Sequence, residues 1–279
     1  MYMTKTFKLL NCHPKKTRKR NTCYDNNTLL LLKKRWNENN KIKIKSTDPT
    51  TIWSELKQNI KDCNNELCWL KKTLKESNKI IVKKNFVPTA PIKEWSKYNN
   101  WLSSTDFNNV MRQYMEKHSN FLYLGPSPID FDTRINGKCV WPTLCNLNIK
   151  KQMKKGINKI GIILNLDKHS GDGTHWVSMF IDLQNKYIFY FESTGSTIPP
   201  EVTAFMERIK QQCAELNIDM KLMDNMKMRH QYGTSECGMY SLYFIISLLE
   251  NKHTPQHFLK KRITDDEMKN IRDVYFNKI

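Results

Sequence analysis

A strongly hydrophobic stretch runs from Met239 to Leu249, and only Ser241 and Ser247 interrupt it. It is too long for an ordinary buried strand and too short to span a bilayer, so it predicts a helix buried on nearly all sides. The polar loop at 230–236 leads into this helix and places Cys237 at its N-terminus, where unpaired N–H groups and the helix dipole favour a thiolate. The alternative is a buried cysteine without chemistry, since most free cysteines behave as small apolar residues.

Four shorter segments have the composition of β-strands: residues 159–166, 175–182, 186–192 and 220–223. The short turn at 183–185 predicts an antiparallel hairpin. A helix is predicted after Pro199-Pro200, and the capping-box sequence Thr264 to Glu267 predicts another. Because helices alternate with hairpin strands in this order, we predict an α+β fold rather than a doubly wound parallel sheet.

The first third of the chain has a different pattern. Hydrophobic residues recur at helical spacing from Trp53 to about Lys75, after a turn at Asp48-Pro49, and this predicts a helical arm. Residues 80–92, which contain two prolines, are predicted to form an extended linker. We therefore predict two domains, an arm at 1–94 and a core at 95–279.

The core is predicted to open with a helix. Ser104 or Thr105 can cap it, and the segment from Gly125 to Pro128 is predicted to stop it.

Charge separates the two parts further. The net charge is +19, and residues 1–100 carry 23 basic against 8 acidic side chains, a net of +15. The arm can therefore attract nucleic acid, an anionic membrane surface or an acidic protein through general electrostatics. The cluster Lys15 to Arg20 has the form of a nucleic-acid contact or a nuclear import signal, although solvated surface lysine is the simpler interpretation.

The chain has eight cysteines. No secretory signal and no 18-residue apolar run is visible, so we expect an intracellular protein with reduced thiols and no membrane span. The spacings of Cys63 with Cys68 and of Cys139 with Cys145 do not match common zinc sites. We therefore predict neither a metal nor a cofactor.

Three other residues can supply what a nucleophilic Cys237 needs. An even loop between the second and third strands would put His175 and Glu192 on one face of the sheet as diagonal neighbours, about 7–8 Å apart at the backbone. Glu192 would then accept Nδ1–H of His175, which would act as the base. Gln231, six residues before the cysteine, can donate to an oxyanion beside the backbone N–H of Cys237. A solvated strand-end glutamate and an ordinary loop glutamine are the plain alternatives.

The sequence resembles the SUMO-specific protease and adenain group of cysteine proteases, and within it the virion proteases of the African swine fever virus type. The resemblance covers roughly residues 100–279 and rests on the order His, acid, Gln, Cys. Five strings carry it: Gly173-Thr174-His175-Trp176-Val177, Ser193-Thr194-Gly195, Arg229-His230-Gln231, Glu236-Cys237-Gly238 and Arg262-Ile263-Thr264-Asp265.

The resemblance implies a papain-like α+β core with a rearranged His-acid-Gln-Cys order, beside a small, basic, mainly helical N-terminal arm. It implies Cys237 as nucleophile, His175 as base, Glu192 as the orienting acid and Gln231 as oxyanion donor. Other members have Asp or Asn in place of the glutamate, and adenain-like enzymes have Glu. Trp176 would wall the substrate groove; its alternative role, a core aromatic, is compatible with this. Asn165 would line the cleft, although asparagine is ordinary at a strand end.

The implied function is a viral cysteine endopeptidase that cleaves core polyproteins after Gly-Gly-type motifs in virions and in the viral factories of the host cytoplasm. One alternative is a deconjugating protease for SUMO-like or ubiquitin-like proteins. Another is a basic nucleic-acid-binding protein with an inactive protease-like core. The partners expected are thus a protein substrate and, through the arm, nucleic acid or core proteins.

Overall fold

The computed structural model describes residues 7–16, 21–74, 78–97 and 101–279. The chain divides into two compact units, of which the first comprises Met1–Ala90 with Val274–Ile279 and the second Pro91–Asp273. The division falls four residues before the predicted boundary, and it assigns the last residues of the predicted core to the first unit. The reason is local: the side chain of Asn277 hydrogen-bonds the backbone N–H and C=O of Asn11.

The first unit is built from short helices. They are α1 (Asn26–Asn39), α2 (Pro49–Asn59), α3 (Glu66–Thr73) and α4 (Asn78–Asn85). The side chains of Asp25, Asp48 and Asn65 each accept a backbone N–H in the first turn of the helix that follows, so α1, α2 and α3 have polar N-caps. Their apolar faces enclose a core that includes Leu32 and Trp69.

Two predictions for this unit are wrong in detail. The helical pattern from Trp53 to Lys75 is two helices, because Asn65 caps a second one after a turn. The predicted linker at 80–92 begins as α4, since its prolines come only after that helix has ended. Of the basic cluster at 15–20, residues 17–20 lie outside the described residues.

The second unit contains a central sheet surrounded by helices. Its helices are α5 (Ile92–Lys97), α6 (Ser104–Lys117), α7 (Pro142–Cys145), α8 (Ile149–Lys154), α9 (Pro200–Ala214), α10 (Cys237–Leu249), α11 (Pro255–Lys260) and α12 (Asp265–Tyr275). Its strands are β1 (Phe121–Pro128), β2 (Arg134–Ile135), β3 (Lys138–Cys139), β4 (Lys159–Asn165), β5 (Trp176–Asp182), β6 (Tyr187–Phe191) and β7 (Lys221–Asp224). The last turn of α12 passes into the first unit.

The main sheet has five strands in the order β1-β4-β5-β6-β7. The central strands β4, β5 and β6 are antiparallel, as the hairpin pattern predicts, whereas the edge strands β1 and β7 pair parallel with their neighbours. The predicted stop from Gly125 to Pro128 is therefore wrong, because these residues belong to β1. The helix before it ends at Lys117 and is capped by Ser103, one residue earlier than predicted, in a capping box with Asp106.

Helix α10 packs directly on this sheet. A Cβ added to Gly161 of β4 would lie 2.7 Å from Cγ2 of Ile245, so the helix can approach the strand only because that position lacks a side chain. Phe244 of α10 meets Phe189 and Phe191 of β6 with ring centroids 5.0 and 4.7 Å apart. The alternate strand positions pack with α9 on the opposite face of the sheet. The buried helix after Cys237 is thus confirmed.

Six cysteines form disulfides: Cys12–Cys23, Cys63–Cys68 and Cys139–Cys145. The expectation of reduced thiols is wrong for these pairs, because their Cα atoms lie 5.1–6.3 Å apart, a distance that a disulfide can bridge. Cys213 and Cys237 are free. Every helix among the described residues is too short or too polar to cross a membrane.

Candidate active site

Cys237 is the first residue of α10 and is only 2% exposed. The residue after it must be small. A Cβ at Gly238 would lie 3.0 Å from Cβ of Leu102 and from Cζ of Phe107, closer than such atoms normally approach. Gly238 therefore lets the N-terminus of α10 pack against residues 102–107, which fixes the position of the thiol.

His175 and Glu192 are brought together by the register of the hairpin. Asp182 pairs with Tyr187 and Ser178 with Phe191, so the even loop that the prediction required is present. Nε2 of His175 lies 2.6 Å from Oε1 of Glu192. The prediction named Nδ1 for this bond and is wrong on that point, because the ring also hydrogen-bonds Cys237 and uses its far nitrogen for the carboxylate. Nδ1 is left for the thiol.

Glu192 is held as a carboxylate. Burial raises its pKa, but the bond from His175 and further bonds from Thr194 and Ser196 outweigh burial and lower the pKa to about 2. Oε2 accepts the hydroxyl of Thr194 at 2.7 Å and the N–H of Ser196 at 2.6 Å. Glu192 is therefore a buried anion that can orient the imidazole.

His175 is held as a cation by the same arrangement. Burial lowers its pKa, but hydrogen bonds to Cys237 and Glu192 and the negative charge of both outweigh burial and raise the pKa to about 9. The ring therefore keeps its proton at neutral pH. Such an arrangement is that of a thiolate–imidazolium pair oriented by a third group.

Gln231 is 3% exposed, and its side chain is fixed by hydrogen bonds. Oε1 accepts the hydroxyl of Ser193 at 2.7 Å, and Nε2 donates to the carbonyl of Gly233 at 2.8 Å. The carbonyl of Ser193 also accepts the backbone N–H of Gln231 at 2.7 Å. One amide hydrogen of Gln231 is thus left for a ligand, and the Ser193-Thr194-Gly195 string supports both Glu192 and Gln231.

His230, although it lies beside Gln231, has a structural role. Its Nδ1 accepts the N–H of Ile263 at 3.1 Å and its Nε2 donates to the carbonyl of Phe258 at 3.1 Å. Burial lowers its pKa to about 4, so the ring is neutral. It ties the loop before Cys237 to the segment between α11 and α12.

Trp176 and Asn165 line one cavity of about 430 Å³. Nε1 of Trp176 donates to the carbonyl of Leu102, and Leu102 is the residue that packs on Gly238. Trp101, on the same wall, donates to the carbonyl of Thr234 at 3.0 Å. The cavity therefore adjoins the N-terminus of α10. Trp176 also makes an edge contact with Phe107, so it is both a wall and a packed aromatic.

Asn165 organises the loop that borders this cavity. Its Oδ1 accepts the N–H groups of Asp167 and Thr174, at 2.9 and 3.0 Å. Asp167 in turn accepts the N–H of Gly173 at 3.0 Å. Asn165 thus fixes both ends of the loop that delivers His175.

Sequence reasoning missed two supports of the site. Asn225, which is buried, accepts the backbone N–H of Glu192 at 2.8 Å and donates to its carbonyl at 2.7 Å. Helix α12 fixes the loop before the cysteine at two points, since Asp265 accepts the N–H groups of Tyr232 and Gly233 and Arg272 pairs with Glu236 at 2.9 Å. Arg272 is a polar residue within an otherwise hydrophobic packing pattern, and this is the signal that could have indicated it.

A family model for the C-terminal catalytic domain of the Ulp1 protease family matches residues 146–279. This range contains His175, Glu192, Gln231 and Cys237 in order. Residues 146–279 are therefore similar to the catalytic domain of the Ulp1 protease family. The fold class predicted from the sequence, an α+β papain-like core beside a mainly helical arm, is confirmed by the helices of the first unit and the helix-covered mixed sheet of the second.

Two viral relatives illustrate the similarity. One is a protein of Acanthamoeba polyphaga mimivirus that is named as a thiol protease. It is 33% identical over 181 residues, which is 65% of this chain and 58% of that protein. The SUMO-1 cysteine protease of African swine fever virus is 39% identical over 128 residues, 45% of this chain and 46% of that protein. The chain thus spans about half the length of the curated relatives it matches.

A crystal structure of the African swine fever virus protease matches the whole fold. The TM-score is 0.71 at 23% identity, over 99% of this chain and 98% of that chain. The similarity therefore extends to the arm as well as the Ulp1-family domain, and at this identity it concerns the fold.

Proposed function

We propose that the chain is a viral cysteine endopeptidase. The proposal rests on one observation: His175 hydrogen-bonds Cys237 and also lies 2.6 Å from the buried carboxylate of Glu192. The free, buried Cys213 is a useful contrast, because burial raises its pKa to about 11 and no bond to a base among the described residues contributes to that pKa. Of these two free cysteines, Cys237 is the one with the environment of a nucleophile.

The steps follow from this geometry. With the proton of the pair on His175, the thiolate of Cys237 attacks the carbonyl carbon of the scissile peptide bond. Gln231 and the backbone N–H of Cys237 donate hydrogen bonds to the oxyanion. The imidazolium then gives its proton to the departing amine, which leaves a thioester that water hydrolyses to regenerate the thiol.

We propose cleavage after Gly-Gly-type motifs in viral core polyproteins during virion maturation, in virions and in the host cytoplasm. The cavity beside Trp176 supports a groove with fixed aromatic walls, since Trp101 donates a hydrogen bond to the carbonyl of Thr234 and Trp176 donates one to the carbonyl of Leu102. A groove of this kind favours residues without side chains near the scissile bond.

The test is peptide hydrolysis by purified full-length protein. Cys237→Ala and His175→Ala should each abolish cleavage of a Gly-Gly-x peptide while circular dichroism shows an unchanged fold. Cys213→Ala, which removes the other free thiol, should retain cleavage. Turnover by a folded Cys237→Ala protein would end the assignment.

A second candidate is deconjugation of SUMO-like proteins, which is favoured by the name of the African swine fever virus relative, a SUMO-1 cysteine protease. Vinyl sulfone probes made from SUMO or ubiquitin should label Cys237 rapidly if this function holds. Cleavage of the Gly-Gly-x peptide without labelling favours the polyprotein endopeptidase.

The predicted contact of the arm with nucleic acid or core proteins gains no support from the described residues. Of the basic cluster, Lys15 and Lys16 are described, and Lys16 pairs with Asp25 at 3.2 Å and bonds Asn85. The third alternative, an inactive core, has the intact pairing of His175 with Cys237 against it.

A further inference from the structure

Two sequence strings, Arg229-His230-Gln231 and Arg262-Ile263-Thr264-Asp265, contribute residues that the proposed chemistry does not use. Arg229 and Arg262 both stack on the ring of Tyr232, with Cζ 4.3 and 4.2 Å from its centroid. Tyr232 is 59% exposed, and both arginines are exposed as well. We refer to these three residues as the Arg-Tyr-Arg surface.

The Arg-Tyr-Arg surface is held rigidly. Nε of Arg229 donates to the carbonyl of Gln231 at 2.9 Å, and Nε of Arg262 donates to the carbonyl of His230 at 3.2 Å. Asp265 accepts the backbone N–H of Tyr232 at 3.0 Å. Because stacking and these bonds already order the side chains, a ligand that binds them loses little further conformational entropy.

The donors that remain are suited to a carboxylate. Each guanidinium uses Nε internally, and its two terminal nitrogens make no hydrogen bond or ion pair with the described residues. Asp265, whose carboxylate bonds the backbone of Tyr232, also accepts the N–H of Gly233 and the hydroxyl of Tyr240. Two exposed guanidiniums with unused terminal donors fit acidic side chains, which they can bind through two parallel hydrogen bonds.

We propose that the Arg-Tyr-Arg surface binds an acidic segment of the polypeptide substrate, an inference that rests on the proposed peptidase function. Tyr232 lies five positions before Cys237 in the chain, and an extended chain advances about 3.3 Å per residue. An acidic side chain within about five positions of the scissile bond can therefore reach the surface. The Arg-Tyr-Arg surface would select substrates by their charge, whereas the groove near Trp176 favours small residues.

The experiment uses full-length protein and peptides with one Gly-Gly-x bond. Glu is placed at each of the five positions on either side of that bond, and a matched peptide has Gln at the same position. At one or more positions Glu should lower KM about five-fold relative to Gln without changing kcat. In Arg229→Gln and Arg262→Gln this Glu–Gln difference should shrink, while cleavage of the Gln peptide stays unchanged.

Lys261→Gln is the matched control, since it removes an exposed positive charge beside Arg262 that is not stacked on Tyr232. It should keep the Glu–Gln difference. An equal loss of kcat on both peptides in the arginine variants would show that the arginines only position the loop, and would overturn the proposal. The alkylation rate of Cys237 by iodoacetamide, which should stay unchanged, gives a second readout of loop position.

A binding measurement distinguishes failure of this inference from failure of the proposed peptidase function. Fluorescence anisotropy of the labelled peptides with Cys237→Ala protein requires no turnover. The Glu peptide should bind more tightly than the Gln peptide, and Arg262→Gln should remove the preference. Equal affinities, or displacement of the Glu peptide by single-stranded DNA as efficiently as by unlabelled Glu peptide, would overturn it.

Discussion

At the scale of single residues, the charge state of His175 is the most consequential feature of the site. Its pKa of about 9 and that of Glu192, about 2, lie on opposite sides of neutrality. The stabilisation from His175 is complete below its ordinary value of 6.5 and is lost as pH rises through about 9. That from Glu192 is complete above 4.5 and is lost as pH falls through about 2.

These values predict the alkaline limb of the pH–activity profile. kcat/KM should fall as pH rises through about 9, because His175 then loses the proton that the leaving amine needs. Glu192→Gln should move this limb to lower pH, since it removes a negative charge that raises the His175 pKa. The control is Glu250→Gln, because Glu250 also lies beside a histidine, His118 at 2.5 Å. A limb unchanged by Glu192→Gln would contradict the assigned role of the carboxylate.

A second residue-scale prediction concerns Gly238. The methyl group in Gly238→Ala would lie 3.0 Å from Leu102 Cβ, so the variant should be destabilised by about 1–3 kcal/mol and should cleave more slowly. Chemical denaturation and peptide hydrolysis measure the two effects. The double variant Gly238→Ala, Phe107→Leu should show a favourable coupling, because leucine lacks the Cζ atom that the new methyl group meets at 3.0 Å. Additive losses would mean that the clash is not the cause.

At the scale of elements, α12 stabilises the loop before Cys237. Arg272 and Glu236 are 5% and 2% exposed, and the guanidinium also lies 4.7 Å from the ring centre of Trp95. Removing one member of a buried pair leaves the other charge without its partner, which costs about 3–5 kcal/mol. The loop and the helix therefore depend on each other.

Arg272→Met should accordingly lower the free energy of unfolding by about 3–5 kcal/mol, measured by urea denaturation. Lys269→Met is the matched control on the same helix, because the pair of Lys269 with Asp266 is largely exposed and its loss should leave stability unchanged. Equal stability of both variants would show that the buried pair does not hold the loop.

The elements also show what the sequence could and could not predict. The hairpin of β5 and β6 and the helix after Cys237 follow from local hydrophobic pattern, and they were enough to bring His175, Glu192 and Cys237 together. Strand β1 was missed because its Gly125-Pro126 pair looks like a turn, whereas its pairing with β4 is set by contacts distant in sequence. The choice between the two nitrogens of His175 was missed for a similar reason, since it depends on where α10 packs.

At the scale of the whole molecule, the first unit depends on both ends of the described chain. Asn277 is buried, its side chain bonds the backbone of Asn11 at 2.7 and 3.0 Å, and its carbonyl accepts the N–H of Ala90 at 2.9 Å. Asn277 is 266 residues from Asn11 in the sequence, so no local pattern could have predicted these contacts.

Asn277→Ala should therefore destabilise the first unit by about 1–3 kcal/mol, because the backbone N–H and the carbonyl of Asn11 each lose a hydrogen bond. Hydrogen exchange followed by mass spectrometry should show lost protection near residues 10–12 and 86–90 and unchanged protection in β4. Loss of protection in β4 to the same extent would show that the two units unfold as one.

The division of the chain also determines when each unit can complete its folding during synthesis. Domains generally fold as they emerge from the ribosome, the N-terminal one first. Here the first ninety residues emerge first, yet the segment Val274–Ile279 that completes their unit follows the entire second unit, Pro91–Asp273. A nascent chain arrested before residue 274 would already contain His175, Glu192 and Cys237 while its first unit was unfinished.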